Sequence, residues 1–185
     1  MHPRTFPSRH VLTICTVLCS LVMIAGCSYS NLTSQVGPAA GTVPKKSDAI
    51  CVMLAADPNV PASPYTEAGK LFSALTRDLI QRNFSSTQLL ETKDESQAIK
   101  LCATQGGQYL VAPKIIHWGN AETVESRLLD YVAVELRLLL VPTKQLVKSI
   151  HYEGRNNSVT LSSTLPEALL DENYADAVLS LFQNP

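Results

Sequence analysis

Few side chains in this chain of 185 residues are placed for chemistry. The clearest is the thiol of Cys27. It closes a stretch, Val11 to Ala25, that is almost wholly apolar, and polar sequence follows it. Ala25 and Gly26 before it are small, so a peptidase can approach the backbone closely, and the thiol can carry a diacylglycerol. The other reactive types are scattered. His117 and Trp118 stand together at the end of an apolar run, a titratable ring beside a stacking surface, and make a candidate binding pair. The alternative is that Trp118 caps one edge of the core while His117 faces solvent. His151 has no partner that sequence can name. Glu122, Glu125 and Asp130 form an acidic segment whose spacing is too irregular for a calcium loop. No HExxH or CxxC pattern occurs, so no metal is expected. No nucleophile–base–acid set can be assembled from motifs, so no catalytic residue and no cofactor is expected.

The four residues Ile24-Ala25-Gly26-Cys27 match the bacterial lipobox. Arg4 and Arg9 precede the apolar core, and no acid occurs before Asp48. The core is shorter than the roughly 20 residues that span a bilayer as a helix. The match implies a leader over residues 1–26, cleavage before Cys27, lipidation of Cys27, and handling by lipoprotein-processing and sorting machinery. Two or three acyl chains suffice for stable anchoring, since each buried methylene contributes about 0.8 kcal/mol. Ser28 stands where an Asp would favour the inner membrane in enteric-type sorting, so the expected location is the outer membrane, facing the periplasm. Loss of the leader removes Arg4 and Arg9 and leaves 13 basic against 16 acidic residues, a net charge of −3. A nucleic-acid partner would want a basic face, and none is indicated.

The elements that must position these residues follow from apolar periodicity. Residues 27–47, rich in Ser, Gly, Pro and Thr, read as the lipidated cysteine and a flexible tether, and residues 48–185 as a single α/β domain. Ala49–Ala56 is continuously apolar and reads as a strand buried on both faces. A helix is expected from Pro64 to Asn83, with Ser63 as N-cap and Ala68, Leu71, Phe72, Leu75 and Leu79 on its apolar face. Thr87–Glu91 is a short strand. Asp94 and Gln97 form a capping box for a second helix carrying Ile99, Cys102 and Ala103, and Gly106-Gly107 ends it. Tyr109–Trp118 and Tyr131–Val141 are strands. The second of these alternates, with Val132, Val134, Leu136, Leu138 and Leu140 on one face and Glu135 and Arg137 on the other. A turn at Pro142–Gln145 leads to a fifth strand, Leu146–Glu153. A capping box at Thr164 and Glu167 opens a last helix with Leu170, Tyr174, Ala177, Val178 and Leu181 along one stripe.

The order is βαβαβββα. Right-handed crossovers then make the first three strands parallel, in a mixed five-stranded sheet of order 2-1-3-4-5 with helices packed on it. The polar face of the fourth strand leaves that half of the sheet partly open. In this order the second helix crosses over the first strand and sets Cys102 above Cys51. Both cysteines are expected to be buried and near each other. Two packed thiols are the reading taken, with a disulfide as the alternative.

The blocks "YLVAPKIIHW", "VAVELRLL" and "STLPEALL", in that order behind a lipobox, resemble the bacterial lipoproteins of domain-of-unknown-function family 4823. The markers are Pro113, Trp118 and the Pro166-Glu167 helix start, and the resemblance covers Ile50 to the C-terminus. It departs after Trp118, where a hairpin richer in tryptophan and arginine is expected and "GNAETVESRLLD" has no tryptophan and a single arginine. That family is uncharacterised, so the resemblance implies placement and fold. The expected function is a noncatalytic binding or accessory lipoprotein of the envelope. Its partner would be an envelope protein or the cell wall, met through the open sheet face and the hairpin after Trp118. A hydrolase or a small-ligand-binding periplasmic protein with dispersed site residues is the alternative.

Overall fold

The computed structural model describes residues 28–56, 67–119, 131–156, 166–170 and 172–183. Cys27 and the leader lie outside these, as do Ser63, Pro64, Glu122, Glu125, Asp130 and Thr164. The strands are β1 (Ser28–Val36), β2 (Ala49–Met53), β3 (Ser86–Leu90), β4 (Tyr109–Gly119), β5 (Tyr131–Leu140) and β6 (Gln145–Asn156). The helices are α1 (Ala68–Gln81), α2 (Glu95–Thr104) and α3 (Glu172–Ser180), with a 3₁₀ turn at Pro166–Leu169 before α3.

The strands form one sheet in the order β1-β6-β5-β4-β2-β3. β2 is parallel to both β3 and β4, while β4–β5, β5–β6 and β6–β1 are antiparallel. The expected arrangement of the last five strands therefore holds, and a sixth joins it. The step from β2 to β3 moves one way along the sheet, and the step from β3 to β4 moves back past β2. Both being right-handed, their helices must fall on opposite faces. β2 is thus covered twice. Ile50 and Val52 join the core that contains Phe72 of α1 and Tyr174 of α3, and Cys51 and Met53 join the core that contains Ala98 and Cys102 of α2.

The sixth strand corrects the expectation of a tether over residues 27–47. β1 pairs with β6 without a break from Ser28↔Asn156 to Val36↔Lys148. The chain beyond it stays docked, with the Gly37 and Ala39 amides donating to the carbonyls of Val147 and Leu146. Periodicity reports a buried face, and residues 31–36 have none: all six are exposed. Backbone hydrogen bonds hold this strand, and side-chain type encodes them weakly.

Other differences are local. Helix α1 begins at Ala68, with Glu67 at the N-cap position and no side-chain cap. Its buried stripe runs through Phe72, Ser73, Thr76 and Ile80, while Leu71 is exposed. The two hydroxyls are tolerated because each is bonded. Ser73 Oγ donates to the Gly69 carbonyl and accepts from the Ala55 amide, and Thr76 Oγ1 lies 2.7 Å from Tyr174 Oη. At α2, Asp94 caps the Gln97 amide at 2.6 Å, but the Gln97 side chain accepts from Thr92 Oγ1 instead of returning to Asp94. Lys148, buried on β6, donates from Nζ to the Ser180 carbonyl, a cation at the C-terminal end of α3.

Cys51 and Cys102 are joined by a disulfide, with Cα atoms 5.9 Å apart. This corrects the reading of two separate thiols. Gly106 (φ 76°) supplies the left-handed residue that ends α2, and Gly107 passes directly beneath the bridge. A Cβ on Gly107 would stand 2.2 Å from Cys102 Sγ and 2.6 Å from Cys51 Sγ. Replacing both cysteines by Ala is expected to cost about 4 kcal/mol, from the entropy of closing a loop of this length. Chemical denaturation checks it. Gly107→Ala is expected to release two thiols that titrate in denaturant without reductant, where the parent domain releases none.

Candidate site on the open face of the sheet

Helix α2 covers the outer face of the sheet over β2 and β4 and stops there. Its last link to β5 is an ion pair between Glu95 and Arg137. Beyond that pair the outer faces of β5, β6 and the end of β4 carry no helix among the described residues. Register sets their side chains in rows: Lys114 beside Glu135 beside His151, then His117 beside Ala133 beside Glu153, then Gly119 beside Tyr131 beside Arg155.

His117 and Trp118, neighbours in sequence, lie on opposite faces. Ordinary strand alternation separates them, and a β-bulge between Ile115 and His117 sets which of the two faces the core. It places Ile116 and His117 consecutively on the open face and returns Trp118 to the core. Trp118 is 2% exposed, and its ring meets Phe72 edge-on with centroids 6.0 Å apart. Of the expected binding pair, only His117 is available to a partner, next to Ile116, which is 49% exposed.

His117 instead joins Tyr131, Glu153 and Arg155, which sequence reading did not single out, and His151, for which it named no partner. Its ring stacks on Tyr131, centroids 4.9 Å apart and planes at 30°. The Arg155 guanidinium carbon lies 4.7 Å from the centre of the same Tyr131 ring, a cation–π contact. Glu153 ties the group together. Its Oε1 accepts from Tyr131 Oη at 3.0 Å and lies 3.2 Å from His151 Nε2, and its Oε2 accepts from Arg155 at 3.3 Å. Ala133, between His117 and Glu153 in register, is fully buried. A usable signal was present. His151, Glu153 and Arg155 follow one another at intervals of two on a strand, which puts all three on one face.

The hydrogen bond from His151, then that from Tyr131 and the positive charge of Arg155, hold the Glu153 carboxyl below the usual glutamate range against the opposing effect of partial burial. A carboxylate with three donors is a poor free base. Burial first, and then Glu153, push the Tyr131 phenol up, so it is no nucleophile at neutral pH. Among the described residues, no three His, Cys, Asp or Glu side chains stand together as a metal site. What the face offers is an aromatic plate, an exposed isoleucine and a half-exposed guanidinium, held in place by one carboxylate.

The fold defines a class: a two-layer antiparallel half grafted on a three-layer parallel half. Solved structures similar to this fold include the PelC dodecamer from Paraburkholderia phytofirmans in two crystal forms. The form in space group C2, which carries a single substitution, is 15% identical, with a TM-score of 0.62, and the match covers 85% of this chain and 100% of that one. The form in space group P6 is 17% identical, with a TM-score of 0.63, and the match covers 85% and 99%. Lipoprotein GNA1162 from Neisseria meningitidis is a looser likeness, 11% identical with a TM-score of 0.40 over 74% of this chain and 99% of that one. No family model matches the chain and no curated protein matches it in sequence. The likeness to domain-of-unknown-function family 4823 thus rests on the sequence blocks alone.

Glu153 contributes stability in its ionised form. Because its carboxyl is held below the ordinary value of 4.5, that contribution is complete above this value and is lost as pH falls through the lowered one. Glu153→Gln is therefore expected to lower the melting temperature at neutral pH and to flatten its fall between about pH 5 and 3. A variant with the parent's acid profile would show that the carboxylate is not held this way.

Proposed function

We propose that this protein is a noncatalytic binding or accessory module of a bacterial envelope. It is held through lipid on Cys27 at the periplasmic face of the outer membrane, and it meets an envelope protein or the cell wall through the outer face of β4–β6. The observation that carries the reading is the helix-free outer face, with Ile116, His117, Tyr131 and Arg155 gathered on it. Surfaces of this kind, aromatic and Arg-bearing with an apolar neighbour, are the usual makings of binding hot spots. The lipobox supports the anchor. No helix among the described residues is long and apolar enough to cross a membrane. PelC, which shares the fold, is a dodecamer, so a second copy of the chain is one partner this face could take.

Two experiments test the two halves of the reading. Cys27→Ala should abolish palmitate labelling and leave an unprocessed precursor, and unchanged labelling would defeat the anchor. A photo-crosslinking residue at Ile116 should trap a discrete adduct in intact cells, while the same residue at Leu71, exposed on α1, should not. Mass spectrometry of the adduct separates a second copy from an envelope protein or peptidoglycan. Equal trapping at both positions would show that the open face is not the binding surface.

A further inference from the structure

The two edges of the sheet differ. An edge strand presents a row of N–H and C=O groups to any strand that reaches them, and proteins commonly blunt such edges by shortness, charge, proline or a bulge. At one edge β3 is short, five residues. At the other, β1 runs for nine, with the sequence SYSNLTSQV. It holds no proline and no charged residue, and its register against β6 is unbroken. Residues 31–36 are all exposed, so this stretch of the edge is open.

Register tells which groups point outward. The Gly37 amide donates to the Val147 carbonyl. Bonded and non-bonded pairs alternate along an antiparallel ladder, so Gln35, Thr33 and Asn31 also bond to β6. Ser28, Ser30, Leu32, Ser34 and Val36 then turn their N–H and C=O groups to the free edge, where no strand meets them among the described residues. Leu32 lies opposite Tyr152 and Ser34 opposite Ile150, both in the main core. Leu32 and Val36 therefore continue the core face beyond its cover, 45% and 52% exposed.

We propose that β1 pairs edge to edge with β1 of a second copy of this chain, antiparallel about a two-fold axis at Leu32, joining two sheets into one. The strand is self-complementary. Full overlap sets Ser28 opposite Val36 of the second copy, Ser30 opposite its Ser34 and Leu32 opposite its Leu32. Every one of these positions points outward, and each pair exchanges two hydrogen bonds. A charge near the axis would meet its own copy across the pair, and β1 carries none. Helix α3 lies over β6, through Tyr174 against Tyr152 and the bond from Lys148 to Ser180. β6 and its copy stand three strand spacings apart, about 14 Å. Packed helices need about 8–10 Å, so the two copies of α3 clear each other and Leu32 and Val36 form the floor between them. The outer face of β4–β6 stays free, so the pairing does not depend on the binding face proposed above.

Thiol crosslinking of the full-length protein in intact cells tests this. Cys51 and Cys102 are bridged, and the parent chain, with no introduced cysteine, is the control for Cys27. In the pair the two Leu32 Cα atoms lie about 5.5 Å apart, within the range a disulfide accepts. The two Ser30 residues lie four positions out of register, about 14 Å apart, and cannot be bridged. Oxidation should give Leu32→Cys a covalent dimer of twice the chain mass, severalfold above the parent. Ser30→Cys or Ser34→Cys alone should stay at the parent's level, and differently tagged chains carrying one each should link when made together. Ser34→Pro removes an outward N–H and no bond to β6. Added to Leu32→Cys, it should lower the dimer severalfold while the melting temperature stays near the parent's. Leu32→Cys at the parent's level, equal yields at 30, 32 and 34, or no link between the mixed chains overturns the pairing. Undiminished dimer with Ser34→Pro overturns the edge hydrogen bonds.

Discussion

Everything in this fold depends on the double coverage of β2. Two right-handed crossovers that run in opposite directions past one strand cannot place their helices on the same face. β2 must therefore be apolar on both sides, which is how Ile50, Cys51, Val52 and Met53 come to be buried in succession. The disulfide ties the smaller of the two cores. α2 has only ten residues, and its buried positions are Ala98, Ile99 and Cys102, a modest apolar area for holding a helix on a sheet. The bridge from Cys102 to Cys51 joins that helix covalently to the most buried strand, and Gly107 lets the chain turn beneath the sulfurs.

The limited reach of α2 shapes the rest. A helix of that length does not reach the Tyr131 end of β5 or the facing part of β6, and the chain provides no further element for that face among the described residues. The other face is closed by α3 and the 3₁₀ turn, with Tyr152 donating to the Leu169 carbonyl and Tyr174 packed edge-on to Tyr152. The antiparallel half is therefore two layers thick, and its outer side chains must satisfy one another or water. The Glu153 cluster is the result. One carboxylate organises a tyrosine, a histidine and an arginine that would otherwise lie loose on a flat surface.

Sequence reading recovered those elements whose side chains record burial. The unbroken apolar run of β2, the alternation of β5 and the Tyr174–Val178–Leu181 stripe of α3 all do so. It misplaced β1, whose side chains record nothing of their pairing, and it assigned Leu71 to a buried stripe that belongs to Ser73 and Thr76. Those two hydroxyls look polar in sequence and are buried only because the Ala55 amide and the Tyr174 hydroxyl come to meet them. The disulfide depended on a distance, which spacing along the chain cannot supply. Strand alternation separates His117 from Trp118, and a bulge, a single inserted residue, decides which of the two faces the core. The partners of His117 come from β5 and β6, so no local pattern could have assembled them, although the alternation of His151, Glu153 and Arg155 was legible.

That division between core and face limits what a shared fold can say about function. The three-layer half is held by buried contacts and a covalent bridge, and it can persist while much of the sequence changes. The open face is made of exposed side chains, where substitutions usually shift stability by less than about 0.5 kcal/mol. Its chemistry can therefore be rewritten on an unaltered frame. PelC shares the frame at 15–17% identity, and that likeness does not carry a partner across. What this chain recognises has to be read from Ile116, His117, Tyr131 and Arg155. Glu153 fixes the geometry of that group, and β1, paired from Ser28 to Val36, closes the sheet beside it.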